Sequence, residues 1–137
     1  IGGNIISVLE VPHKDVSSYG VIAPGATNGA VTEVIGLVEK PKVEDAPSNL
    51  IVSGRYILQP EVMQILEGQE KGAGGEIQLT DAMAQMIGQQ PFNAVTFDGK
   101  RYDCGSKVGY IEANLALALQ RPDMAEQVRA IALNLLK

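Results

Sequence analysis

The chain has 137 residues, 45% apolar and 20% charged, a length and mixture suited to one ordinary globular domain with its own core. Its 11 basic and 16 acidic residues leave a net charge of −5, and with two Phe, four Tyr and no Trp this excludes a nucleic-acid platform and leaves phosphate recognition to one or two local cations. No apolar run approaches the ~20 residues of a membrane span, no signal-peptide pattern opens the chain, and the single cysteine, Cys104, excludes an internal disulfide and fits a reducing, cytoplasmic setting.

The chain opens on Ile1 in a run that already reads as a strand, "IGGNIISVLEV", which suggests a cut from something longer. Ile5 to Val11 is apolar and β-branched, Tyr19 to Ile22 is a second short run, and Val31 to Val38 a third. Between them "PHKDVSS" and "APGATNG" predict turns, the first carrying the lone histidine, His13, in an exposed position. Ile51 to Leu58 is a fourth strand, interrupted by Gly54, which marks a bulge or a close backbone approach.

The period then changes. Pro60 opens a helix with Val62, Ile65 and Leu66 on one face and Gly68 as its stop. "EKGAGGEIQLTDAMAQMIG" predicts a mobile glycine loop with a capping role, then a helix with Leu79, Met83, Met86 and Ile87 on one side. Phe92 to Phe97 is a fifth strand, Asp98-Gly99 a turn, and Arg101 to Asp103 a short sixth strand. Ser106 caps a helix through Val108, Ile111, Leu115 and Leu119; Pro122 opens the last one, with Met124, Val128, Ile131 and Leu135 in register. That last apolar face needs a partner, within the fold or across an interface, and a homo-oligomer is expected. Strands first and alternation later predict a mixed α/β chain, one domain or part of one.

Four places can hold chemistry, each with a plainer reading beside it. Gly20, inside a strand pattern, lets a ligand approach the backbone or simply marks a bulge. In "LVEKPK", Glu39 offers a carboxylate to hydroxyl groups and Lys40 an ammonium to a phosphate, or the two are a solvated pair capping an edge strand. Side chains alternate along a strand, so adjacent residues share one partner only if the chain turns, and Pro41 supplies a turn while biasing Lys40 toward extended conformations. "GAGGEIQLTD" resembles a phosphate-cradling loop before a helix but lacks the lysine and hydroxyl spacing of a P-loop. Asp103, in "RYDCG", is a magnesium ligand at a strand end or a turn cap. Together these are the parts of a site for a phosphorylated sugar: bare backbone, hydroxyl acceptor, phosphate cation and metal carboxylate.

"YGVI", "VEKPK" with "APSNL", "SGRYIL", "GAGGEIQLTDA" and "RYDCGSKVGYIEA" follow one another here in an order that resembles the C-terminal half of bacterial UTP–glucose-1-phosphate uridylyltransferases. The resemblance implies an α/β chain forming part of a doubly wound, Rossmann-like nucleotidyltransferase fold with a mixed sheet and C-terminal helices. Residues 1–137 would be its sugar-phosphate side, with the glycine-rich nucleotide loop, uracil pocket and another metal-binding aspartate lying upstream. It further implies that Gly20 contacts glucose through its backbone, Glu39 holds glucose hydroxyls and Lys40 neutralises the sugar phosphate. Asp103 would complete a Mg2+ site, with Gly54 and Glu76 lining the pocket; Cys104 falls in the "DCG" motif with no demand for a reactive thiol. The implied reaction joins UTP and glucose 1-phosphate into UDP-glucose and pyrophosphate, with these 137 residues inactive by themselves. A thymidylyltransferase or other hexose-1-phosphate nucleotidyltransferase is the rival enzyme, and a non-catalytic assembly module the rival outside enzymes.

Overall fold

In a run of seven residues, Asn4–Glu10, every second side chain is buried: Asn4, Ile6 and Val8 face inward while Ile5, Ser7 and Leu9 are only half-covered. This is the period of a strand with one face on a core, and it makes strand β1. The computed structural model describes residues 2–72 and 75–137 of the chain. After β1 come a 3-10 turn at His13–Ser18, β2 (Gly20–Asn28), β3 (Val31–Glu39), a 3-10 turn at Val43–Asp45 and β4 (Leu50–Ile57). Helices α1 (Glu61–Gly68) and α2 (Leu79–Met86), strand β5 (Phe92–Thr96), and helices α3 (Lys107–Leu119) and α4 (Ala125–Leu135) complete the order.

The five strands form one mixed sheet in the order β1-β4-β2-β3-β5 that closes on itself, β5 lying beside β1. β1 and β5 are parallel, with Ile5 opposite Asn93 and Ile6 opposite Ala94, and the other neighbours are antiparallel. A parallel pair needs a long crossover. Here α1 and α2 lie in the connection from β4 to β5 and supply the helical layer. Ile6, Val8, Ile22, Val34, Leu37 and Val52 of the sheet pack with Val62 of α1 and Ala82, Met83 and Met86 of α2 in one buried cluster. A second cluster, Val16, Val21 and Ile51, has Leu9, Val11, Tyr19, Val43 and Ala46 packed against it. The mixed α/β sheet and C-terminal helices expected from the sequence are present.

Several local expectations change. "APGATNG" is not a loop: β2 runs through it to Asn28, with register shifts around Pro24 that let a proline sit in a strand. The turn is the two-residue link between Asn28 and its partner Val31, where Gly29 takes φ +61°, as primed hairpin turns require. Gly54 does mark a bulge. The β1–β4 register jumps from Ile6↔Tyr56 to Val8↔Val52 across it, and its φ is +82°. Residues 101–103 form no strand, because the Asp103 carboxylate turns the chain back on Gly105. The capping role expected of the glycine loop is not seen among the described residues, since α2 starts at Leu79 with no side-chain cap from Gln78; residues 73–74 of that loop lie outside the described residues. The last helix begins at Ala125 rather than at Pro122, after a turn held by Arg121 and Asp123, whose paired bonds are 3.0 and 2.7 Å.

The chain divides into two compact units, Ile1–Asp98 and Gly99–Lys137. In the second, Ser106 Oγ accepts the Gly109 N–H at 3.0 Å, the expected N-cap of α3, and α3 packs against α4. The covered side of α4 is Ala125, Val128 and Ala132, so of the predicted stripe only Val128 is half-buried. Among the described residues no helix is long and apolar enough to cross a membrane.

Candidate functional site

The end of β3 is where the chemistry collects. Glu39, its last residue, is half-buried and lies opposite Gly20, the buried first residue of β2. A Cβ on Gly20 would stand 3.1 Å from Glu39 Oε2 and 3.3 Å from Thr80 Oγ1, tighter than most real contacts. Gly20 is therefore neither bulged nor idle: its missing side chain leaves room for a carboxylate and a hydroxyl to converge over the strand. Thr80, in the first turn of α2, is only 7% exposed, and its hydroxyl has no hydrogen-bond partner among the described residues. A hydroxyl beside the Gly20 gap, able to donate and to accept, suits a polar ligand.

Lys40 leaves the strand in an unexpected way. Proline at 41 should push it to an extended conformation, yet its φ is +45°, the only positive φ on a non-glycine among the described residues. Such a backbone costs on the order of 1–3 kcal/mol and persists only where its surroundings over-determine it. The Lys40 N–H donates to Tyr19 O at 3.0 Å, holding the upstream side, and Pro41 is buried on the downstream side. Among the described residues neither Glu39 nor Lys40 forms an ion pair, although they are adjacent and opposite in charge.

Tyr56, on β4, joins this neighbourhood. Although 37% exposed, its phenol is raised above the ordinary tyrosine value by partial desolvation and further by the negative charge of Glu39. Sequence reasoning missed both Thr80 and Tyr56, although each sits in a quoted motif, "QLTDA" and "SGRYIL". Nothing in a single sequence says which residue of a motif faces the ligand; the register of β4 and the start of α2 do.

The other expected residues are dispersed. Gly54 is exposed at its bulge, two residues from Tyr56, with open space where a Cβ would stand. Glu76 is exposed, its carboxylate 3.5 Å from Gln78 Nε2, with no bond or ion pair to Glu39 or Lys40 among the described residues. His13 is exposed as expected, its Nδ1 2.8 Å from Asn49 Oδ1. Asp103 belongs to the second unit. Its Oδ1 accepts the Gly105 N–H at 2.9 Å and its Oδ2 lies 3.8 Å from Arg101 Nη2, so it acts as a turn cap with a loose ion pair. Cys104 beside it is a free, exposed thiol.

Magnesium takes near-octahedral oxygen coordination, with one or two carboxylates and substrate phosphates as its usual anionic ligands. Among the described residues no three metal-ligating side chains gather, and Asp103 commits one carboxylate oxygen to its turn. These residues do not by themselves make a magnesium site.

A family model described as nucleotidyl transferase matches residues 2–120. Over 129 residues the chain is 47% identical to the UTP–glucose-1-phosphate uridylyltransferase of Staphylococcus epidermidis, covering 94% of this chain and 45% of that protein. It is 54% identical over 107 residues to the enzyme of the same name from Komagataeibacter xylinus, covering 78% of this chain and 38% of that one. The crystal structure of a UDP-glucose pyrophosphorylase complexed with UDP-glucose superposes with a TM-score of 0.81 at 46% identity, over 87% of this chain and 45% of the other. The chain thus spans less than half the length of the relatives it matches.

Proposed function

This chain belongs to the nucleotidyl transferase family, and on that premise we propose that it is the sugar-phosphate side of a UTP–glucose-1-phosphate uridylyltransferase. The observation that carries the reading is the convergence of Glu39 Oε2 and Thr80 Oγ1 on the bare backbone of Gly20, beside Lys40 in a left-handed conformation and without an ion pair among the described residues. A hexose 1-phosphate presents hydroxyls and a dianionic phosphate a few ångströms apart, and consecutive Glu39 and Lys40 supply a hydroxyl acceptor and a cation to match them. Glu39 accepts hydrogen bonds from glucose hydroxyls, the gap at Gly20 admits the sugar to the strand, and Lys40 offsets charge on the sugar phosphate.

In the reaction, a phosphate oxygen of glucose 1-phosphate forms a bond to the α-phosphorus of UTP as the bond to pyrophosphate breaks. The nucleophile is already anionic, so no general base is needed, and the protein acts by positioning and charge stabilisation. Magnesium belongs to the proposal as a cofactor, to which Asp103 would offer one oxygen, with Gly54 and Glu76 as outer lining. So do UTP, a homo-oligomeric assembly, a cytoplasmic setting and the absence of nucleic-acid or membrane partners.

The test is pyrophosphate release by the whole protein from glucose 1-phosphate with UTP or with dTTP, for wild type and Glu39→Gln. We expect UTP to be preferred and Glu39→Gln to raise KM for glucose 1-phosphate about tenfold or more. A preference for dTTP would move the chain to the thymidylyltransferases. Unchanged kinetics in Glu39→Gln would remove the sugar site from the end of β3.

A further inference from the structure

Lys40 is unfavourable twice over: it is a non-glycine residue at positive φ, and it precedes a proline, which favours extended geometry. Something on each side must hold it. Upstream, Glu39 is in register with Gly20, and the Lys40 N–H is bound to Tyr19 O. Downstream, the ring fixes the φ of Pro41 and is itself buried between two exposed lysines, Lys40 and Lys42. Beyond it the 3-10 turn Val43–Asp45 closes with the Asp45 N–H on Lys42 O at 3.0 Å, and Val43 and Ala46 pack onto the Val16, Val21 and Ile51 cluster. The chain is therefore pinned before Lys40 and after it, and Lys40 alone absorbs the change of direction.

The consequence concerns aim. In an extended Lys40, strand alternation would send its side chain to the face opposite Glu39. A left-handed residue ends that alternation at Glu39. We propose that Pro41 is a positioning residue for substrate binding, its buried ring holding Lys40 out of the strand so that the ammonium meets the sugar phosphate while Glu39 meets the sugar. This rests on the reading of Lys40 as the phosphate-binding cation, given above.

The experiment compares Pro41→Ala and Pro41→Val in the whole protein, alone and combined with Lys40→Ala. Valine keeps apolar volume at the buried position while freeing φ, so it carries the test if the alanine variant folds poorly. We expect KM for glucose 1-phosphate to rise about tenfold in either variant with KM for UTP within about twofold of wild type. The melting temperature of Pro41→Val should fall by only a few degrees, because relaxing the strained Lys40 backbone offsets part of the cost of losing the buried ring and of a freer unfolded chain. The change should vanish in the Lys40→Ala background, where there is no ammonium left to aim. If Pro41→Val raises KM equally with and without the Lys40 side chain, Pro41 acts elsewhere and the proposal is overturned. It is equally overturned if Lys40→Ala is damaging while both Pro41 variants behave as wild type. If Lys40→Ala is itself harmless, the reading of Lys40 as the phosphate cation has failed.

Discussion

Replacing Gly20 with alanine adds one methyl group at the point where the site is narrowest. Gly20 does not have a positive φ, so alanine fits the backbone, and the smaller conformational freedom of the unfolded chain adds roughly 0.4–1 kcal/mol of stability. Against this, the new Cβ stands 3.1 Å from Glu39 Oε2 and 3.3 Å from Thr80 Oγ1, so each must retreat by a few tenths of an ångström. Glu39 is half-buried and its long side chain can give way, whereas Thr80 is buried and β-branched, so the remaining crowding there opposes the gain from the unfolded chain. Stability should therefore change by less than about 1 kcal/mol in either direction. The site is less tolerant. A displaced carboxylate loses a charged hydrogen bond to the sugar, worth about 1.5–3 kcal/mol, which is roughly 10- to 150-fold in kcat/KM. The assay is pyrophosphate release by the whole protein at varied glucose 1-phosphate, beside a thermal melt. A Gly20→Ala enzyme with wild-type kcat/KM would refute the reasoning, because the methyl group would then occupy space the substrate never uses.

Lys40→Ala should slow the whole protein by about 2–4 kcal/mol in the transition state, roughly 30- to 1,000-fold, while Lys42→Ala changes little; equal rates in parallel assays would remove the phosphate role from Lys40. Asp103→Asn keeps the turn, since Asn and Asp cap alike, so an unchanged melt with at least ~10-fold lower activity that recovers in a magnesium titration marks a metal ligand; wild-type activity marks a turn residue only. Gly109→Ala should destabilise the second unit by about 1–3 kcal/mol despite the better helix propensity of alanine, because its Cβ would collide with the Asp103 carbonyl oxygen; a raised melting temperature would show the α3 N-terminus to be looser than described.

The strands and helices were legible because their periods are regular: five of six predicted strands and all four helices form, with ends shifted by a few residues. The exceptions have local causes. The run "APGATNG" reads as a loop because proline and two glycines break strand patterns, yet two register shifts absorb them and β2 continues to the true turn at Gly29. Arg101 to Asp103 alternates like a strand but bends instead, its aspartate preferring a local bond to the Gly105 N–H. Within the site, the carboxylate and the cation were legible from residue type, Glu39 and Lys40 being a hydroxyl acceptor and a phosphate cation wherever they lie. Thr80 and Tyr56 were not. Thr80 comes from 41 positions along the chain and Tyr56 from another strand, and only the docking of α2 and the register of β4 bring them to Glu39.

Lys40 shows a different kind of limit. Propensity correctly says that a residue before proline prefers extended geometry, and the structure overrides it at that one position. A strained residue persists only where its surroundings over-determine it, which makes the outlier a pointer to function. Lys40 contributes no ion pair and no burial to the fold among the described residues. What the strained turn does provide is an acid and a base, consecutive in sequence, that no longer obey strand alternation. That arrangement suits a ligand with hydroxyls at one end and a phosphate at the other, while the fold gains from the turn the Lys40 N–H bond to Tyr19 O and the burial of Pro41, neither of which needs a lysine side chain. The failure of local rules at Lys40 therefore supports the proposed placing of the sugar phosphate beside the end of β3.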